Sequence, residues 1–487
     1  MPHEIPEIYA DENNISSLRP VKKKDVYAGI SDINFPKVDA SFGIALHMHQ
    51  PTIPASTDNL HTAKLISNLQ YMMEHQNIGD NHNAPVFLNC YSRMSDIIIK
   101  LAAEGAHPRV MLDYSGNLLW GLEQMSREAI EKLKLITTDK KYQRCAEWLG
   151  TTWSHAVISS TPVPDIKLHL IAWREHFASI FGREAARRVK GFSPPEMHLP
   201  IHPDVCFAYV RDLKECGYEW LLAQEHTIEN LDGTGIRRPH FPHKLVAKNS
   251  LGQTEEITVL IKTQGSDTKL VAQMQPYYEA RSLSGRQDYA GRKIPPFVSQ
   301  IGDGENGGVM MNEFPPAYNQ AFAGITAEGV VAMNGSEYLE FIQEAGVDEG
   351  EFIKVQPILQ HRIWAQVKER SPHACEEAIK KLEETDHNFH LDKASWTNEK
   401  SWVRDYEHVL DPINQLSAAF HKKYDGKKIS AEVSACRCIR HKENQDYRRA
   451  LLYLLLSQTS CFRYWGSGIW TDYAKELCRR GIRALEG

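Results

Sequence analysis

From position 42 to about position 301 the chain alternates short apolar runs with longer amphipathic stretches. The runs fall at 42–46, 109–114, 147–152, 189–193, 219–223, 257–262 and 297–301. Each has the length and composition of a buried strand. The intervals carry helix-type spacing. One such stretch covers 63–74. Another covers 126–135, with Ser126 placed to cap it. A third covers 165–181, with Asp165 at its start and Gly182 just past its end, where helix termini favour those residues. Strand–helix alternation repeated about seven times predicts a parallel barrel or a doubly wound sheet. Polar residues suited to chemistry follow several of the strands and would share one face. That placement favours a barrel, whose site lies at the C-terminal ends of its strands. Positions 231–256 and 276–296 are rich in Gly, Pro, His and Arg and read as long loops over that face.

The pattern differs at the two ends. Residues 1–40 are polar, include Lys22, Lys23 and Lys24, and predict an arm lying over the domain. Beyond about 345 helical spacing dominates. Ser371-Pro372 is a helix start with proline at the first helical position, and helical stretches follow at 406–421, 446–457 and 471–485. The expected organisation is an arm (1–40), a barrel with long loops (41–345) and a mainly helical C-terminal domain (346–487).

Composition narrows the partners. Of 487 residues, 42% are hydrophobic and 24% charged, an ordinary globular balance. A formal charge of -6 gives no electrostatic reason to expect nucleic acid. No apolar run approaches the roughly 20 residues that span a bilayer, and the first residues lack the pattern of a signal peptide. The nine cysteines are scattered, with Cys436 and Cys438 the one close pair. Reduced thiols and a cytoplasmic location are expected.

Four short segments carry candidate chemistry. His47-Met48-His49-Gln50-Pro51 ends the first strand run with two histidines at i and i+2, which an extended chain aims to one side. Trp153-Ser154-His155 follows the third run. Glu196 follows Pro194-Pro195, whose rings stiffen the exit from the fourth run. It could equally be a glutamate capping a helix. Gly302-Asp303-Gly304-Glu305 follows the seventh run. A glycine-rich acidic turn can bind Ca²⁺, but these acids stand at the mouth of a buried strand, and D-x-E aims both carboxylates to one side. Two carboxylates delivered to one pocket from different strand ends are the minimum for glycoside hydrolysis. Trp120, Trp153, Tyr277, Tyr278, Trp465 and Trp470 are the aromatic rings available for stacking on a sugar. A competing reading is a metal-dependent amidohydrolase-type barrel, in which an H-x-H also ends the first strand.

Taken in order, these segments resemble glycoside hydrolase family 57, the α-glucan-active group of amylases, 4-α-glucanotransferases and branching enzymes. His47-Met48-His49-Gln50-Pro51 is similar to the family's first region, and residues 113–119 to the segment after strand two. Trp153-Ser154-His155 is similar to the second region, Pro195-Glu196 to the third, Asp303-Gly304-Glu305 to the fourth and residues 454–460 to the helical fifth. The resemblance covers about 42 to 475. It implies an α/β fold, an incomplete (β/α)7 TIM-like barrel followed by a helical region, and a retaining mechanism with no metal and no organic cofactor. It implies Glu196 as nucleophile and Asp303 as general acid/base. Substrate contacts are expected from His47, His49, Gln50, Trp153, His155, Asp267, Glu305 and Trp465, with an α-glucan as partner. Ser193, Asn306-Gly307 and Cys461 depart from the family's usual residues around the substrate. Those departures keep open a glucan-binding protein of weak or no activity on the same fold.

Overall fold

The computed structural model describes residues 5–20, 26–56, 59–263, 271, 274–283, 285–305, 321–322, 329–392, 394–397, 401–427 and 439–486, with backbone alone over 439–443. All seven apolar runs overlap parallel strands. These are β1 (Val38–Met48), β2 (Val110–Tyr114), β3 (Ala146–Leu149), β4 (Gly191–Phe192), β5 (Trp220–Gln224), β6 (Thr254–Lys262) and β7 (Phe297–Asp303). Each pairs with the next in this order: β1 with β2, β2 with β3, β4 with β5, and β5 with β6. One bridge between Gly150 and Phe192 joins β3 to β4. A single partner pair, Lys262 and Ser299, joins β6 to β7, and β7 returns to β1. The seven strands therefore close on themselves as a (β/α)7 barrel with two thin seams. A further strand, Gly329–Ala332, pairs with the first half of β1. Two others, His243–Lys248 and Ile353–Pro357, extend the sheet outward from β6.

Closure follows from burial on both faces. Every residue of β2, β3 and β5 is buried, as is most of β1, which is why these strands read as unbroken apolar runs. Helices cover the outside. Arg127–Thr138 is capped by Ser126, whose side chain accepts from Ala129 N, as expected. Val163–Phe181 starts two residues before Asp165, with Pro162 at its cap, and ends at Gly182. The stretch 63–74 divides. Lys64–Ser67 pairs with Thr52–Ala55 as a small hairpin, and only Asn68–Glu74 is helical. A four-residue strand leaves too short a pattern to reveal its period, so helical spacing absorbs it.

The arm holds one helix, Glu12–Leu18, and is tied down by buried carboxylates. Glu175 accepts from the backbone N–H groups of Tyr9, Ala10 and Asp11 at 2.7, 2.8 and 3.1 Å. Glu340 accepts from those of Tyr27 and Ala28 at 2.7 and 2.8 Å. The C-terminal region is helical, including Pro372–Thr385, Glu407–Tyr424, Ile439–Ser457 and Ile469–Glu486. It docks on the barrel rim at residues 458–460. An antiparallel bridge joins Thr459 to Ala156. Gln458 donates to buried Asp165 at 2.6 Å and bonds His169 at 2.8 Å. No helix among the described residues is long and apolar enough to cross a membrane.

Candidate active site

The barrel register builds the site. In β1 His47 lies opposite Asp113 of β2 on one side and Asp303 of β7 on the other. Partnered residues in adjacent strands share a face, so one imidazole stands between two carboxylate-bearing positions at the C-terminal rim. His47 Nδ1 bonds Asp113 Oδ2 at 2.8 Å. Burial works against a charged His47, but Asp113, then Asp303 and Glu305, raise its pKa to about 9. His47 is an imidazolium at neutral pH.

The other two histidines complete a stack. His155 lies between its neighbours, 4.3 Å from His47 and 4.6 Å from His49 between ring centroids, with interplanar angles of 25° and 28°. Burial and the charge of His47 drive both His49 and His155 well below the ordinary histidine value. One charged ring thus faces two neutral ones. His49 bonds the Ser115 hydroxyl at 2.7 Å and the Thr459 hydroxyl at 3.2 Å. With both its nitrogens engaged by hydroxyls, His49 is poorly placed to ligate a metal. Among the described residues no group of three or more His, Cys, Asp or Glu is arranged to hold one.

Glu196 enters from the stiff turn after β4. Its backbone has φ 57°, and His155 has φ 61°. Both are in the left-handed region that side chains other than glycine's seldom occupy, a strain that concentrates at functional sites. Trp396 holds Glu196 twice. Its backbone N–H donates to the Glu196 carbonyl at 2.9 Å, and its indole Nε1–H donates to Oε2. His155 Nδ1 lies 3.8 Å from Glu196 Oε1 and bonds the Ser460 hydroxyl at 2.8 Å. Ser460 also hydrogen-bonds Glu196. Burial pushes the Glu196 carboxyl up. Trp396, His47 and Ser460 pull it back, and Asp303 adds to the rise.

Asp303 and Glu305 come from the end of β7. Crowding by protein raises the Asp303 carboxyl, His47 opposes this and Asp113 adds to it. Its residue surface remains open to solvent, which moderates all three influences. A Cβ at position 304 would lie 1.9 Å from the Met48 Cε, so a side chain there would displace the end of Met48. Glu305 accepts from the Tyr91 hydroxyl at 2.7 Å. Tyr91 in turn accepts from Gln50 Nε2 at 3.0 Å, and Gln50 accepts from Asn68 at 3.0 Å. Burial and Asp303 raise Glu305 to about 7.

The remaining expected residues divide. Trp153 is fully buried and donates its indole N–H to His176 at 3.2 Å. It is packed inside the barrel wall and has no face for a sugar, which corrects its assignment as a stacking ring. Trp465 is 58% exposed and stacks on Trp470 at 6.3 Å. Asp267, Asn306 and Gly307 lie outside the described residues. The structure adds side chains that short motifs did not single out: Trp396, Tyr464, Arg463 and Tyr91. Tyr464 stacks on Trp396 at 6.4 Å. Its phenol is raised by burial and then by the charges of Glu196 and Asp303. Arg463 is fully buried. Its Nη2 donates to the Gln458 carbonyl at 2.9 Å, and its Nε and Nη1 have no partner among the described residues. Burial lowers its guanidinium to about 10. Burial, then the charge of Glu196, pushes the neighbouring Cys461 thiol up to about 12.

Chemically, the rim holds several carboxyl groups around one imidazolium, with hydroxyl donors and two aromatic planes. Residues 43–267 match the family model described as Glycosyl hydrolase family 57. Among solved structures, the 4-alpha-glucanotransferase from Thermococcus litoralis is similar, with TM-score 0.52 and 16% identity over 92% of this chain. This chain spans 59% of that protein's length. The alpha-amylase AmyC from Thermotoga maritima has TM-score 0.52 and 11% identity, covering 92% of this chain and 93% of its own. At those identities the likeness is one of fold. No curated protein sequence matches the chain.

Proposed function

We propose that this chain, a glycoside hydrolase family 57-type barrel over residues 43–267, is a retaining glycoside hydrolase or transglycosylase acting on α-glucans. The observation that carries the reading is that Asp303 and Glu196 meet the same histidine stack, Asp303 opposite His47 in the strand register and Glu196 3.8 Å from His155, which stacks on His47. Glu196 attacks the anomeric carbon while Asp303 gives its proton to the leaving glycosidic oxygen. A covalent glycosyl-enzyme forms, and Asp303 then takes a proton from water or from an acceptor sugar hydroxyl. The upward push on Asp303 suits the acid of the first step. The donors on Glu196, Trp396 and Ser460, favour its ionised form and so counter the effect of burial. His155 positions Glu196 through Ser460, and Tyr464 with Trp396 offers planar faces for sugar rings. The described cysteines are free, which suits a reducing compartment such as the cytoplasm.

Product analysis after incubation with amylose and with maltooligosaccharides tests the reading. Shorter sugars alone mean hydrolysis, longer ones transfer, and new branch points branching. Equal turnover by wild type and Glu196→Gln would refute the assignment of Glu196. The partly exposed Cys461, which departs from the family's usual residue, favours one alternative, a protein that binds glucan without turning it over. That alternative requires measurable amylose affinity with no product from any of these substrates.

A further inference from the structure

A cavity lies away from the three-histidine stack, between the Thr52–Ala55/Lys64–Ser67 hairpin and the helix Asn68–Glu74. It has a volume of about 370 Å³ and is lined by Ser56, Lys64, Gln70, Tyr71, Glu74 and His75, among others. The Tyr71 and His75 rings stack with centroids 4.2 Å apart and 25° between planes. A bond between His75 Nδ1 and the Tyr71 carbonyl at 2.8 Å fixes the pair. Gln70 donates to Glu74 at 2.9 Å, so an amide and a carboxylate are already ordered on the same wall.

We propose that this cavity is a second, non-catalytic glucan-binding site that anchors a chain beside the active site; the inference rests on the α-glucan reading above. The lining offers a rigid aromatic platform with hydroxyl, amide, amine and carboxylate groups around it. That is the combination a sugar ring requires, with an apolar face against the ring plane and hydrogen bonds at its edge. Lys64 and Glu74 offset each other in charge, which favours a neutral polyhydroxy ligand over a phosphate or a nucleotide. The volume suits a short segment of such a ligand. The location is also specific. Asn68 opens the helix and donates to Gln50, which donates to Tyr91, which donates to Glu305. At about 1.5 Å per helical residue, Tyr71 and His75 lie roughly 5 and 10 Å along the helix from Asn68. A chain held here runs along the edge of the catalytic rim.

The test compares wild type, Tyr71→Ala, Tyr71→Phe and His75→Ala, each checked for an unchanged melting temperature. Affinity for soluble amylose is read by electrophoresis through amylose gels, and turnover is read on maltotriose. Tyr71→Ala and His75→Ala are expected to weaken amylose binding about tenfold and to leave maltotriose turnover within twofold. Tyr71→Phe, which keeps the ring, retains the affinity. If wild type cleaves amylose and Tyr71→Ala binds it equally well, the second site is refuted while the catalytic reading stands. If wild type neither binds nor cleaves any α-glucan, both fall together.

Discussion

Replacing Asp113 by Asn tests the electrostatic centre of the site. Asp113 Oδ2 lies 2.8 Å from His47 Nδ1, and the His47 side chain is only 16% exposed. Its pKa rises from 6.5 to about 9 although burial works the other way. At about 1.4 kcal/mol per tenfold change in a proton equilibrium, that rise is worth on the order of 3 kcal/mol. The folded-state value lies above the unfolded one. The stabilisation is therefore fully present below pH 6.5 and is lost as pH climbs through 9. Asparagine keeps the shape and removes the charge. His47 is then left with burial against it and the more distant Asp303 and Glu305 in its favour, and its proton affinity falls roughly a hundredfold. Urea unfolding of wild type and Asp113→Asn at pH 6.5 and at pH 9 measures the difference. The wild-type advantage should shrink by about 2 kcal/mol over that interval. Histidine-selective NMR should show one wild-type resonance titrating near 9 that moves downward in the variant. A wild-type His47 that titrates near 6.5, or a stability difference independent of pH, would refute the reasoning.

Four further substitutions separate the roles around Glu196 and Asp303. Asp303→Asn should lower kcat/KM on unactivated glucans by about 10²–10⁴-fold and much less on substrates with acidic leaving groups, while Glu305→Gln costs under about tenfold. A larger loss from Glu305→Gln would make Glu305, raised to about 7, the proton donor. Trp396→Phe deletes the indole donor to Glu196. It should cost roughly 1.5–3 kcal/mol of nucleophile stabilisation, seen as a lower kcat and an acidic limb displaced upward, and an unchanged pH–rate profile would count against it. Arg463→Met removes a buried guanidinium, two nitrogens of which have no partner among the described residues. Its melting temperature should hold or rise while kcat falls, and a large drop in melting temperature would show that Arg463 is needed for folding.

Much of this was legible in the sequence, for identifiable reasons. Strands buried on both faces give continuous apolar runs, so all seven barrel strands showed. The residues after them, His47, His49, His155, Glu196, Asp303 and Glu305, stand at strand ends because the chain turns there. Trp153 misled because its strand-end position looks the same whether the ring faces the rim or the wall; the structure turns it to His176. Trp396 was not legible. It lies 200 residues from Glu196, and no spacing rule links a tryptophan in an irregular stretch to a distant carboxylate. Arg463 and Tyr464 follow the recognised helical segment by only a few residues. Their place at the site depends on the Thr459–Ala156 bridge that swings that segment over the rim, a tertiary contact without a local pattern. The hairpin Thr52–Ala55 with Lys64–Ser67 is short enough that helical spacing absorbed half of it.

The central claim is that Glu196 forms a covalent bond with the sugar. The direct measurement is mass spectrometry of protein incubated with a fluorinated α-glucosyl fluoride that forms the glycosyl-enzyme quickly and releases it slowly. The expected result is one added sugar per chain, located by proteolysis on the peptide carrying Glu196, absent from Glu196→Gln and lost on adding a maltooligosaccharide acceptor. An adduct on another carboxylate would contradict the account, as would active wild-type protein that turns the substrate over with inverted anomeric configuration and no adduct.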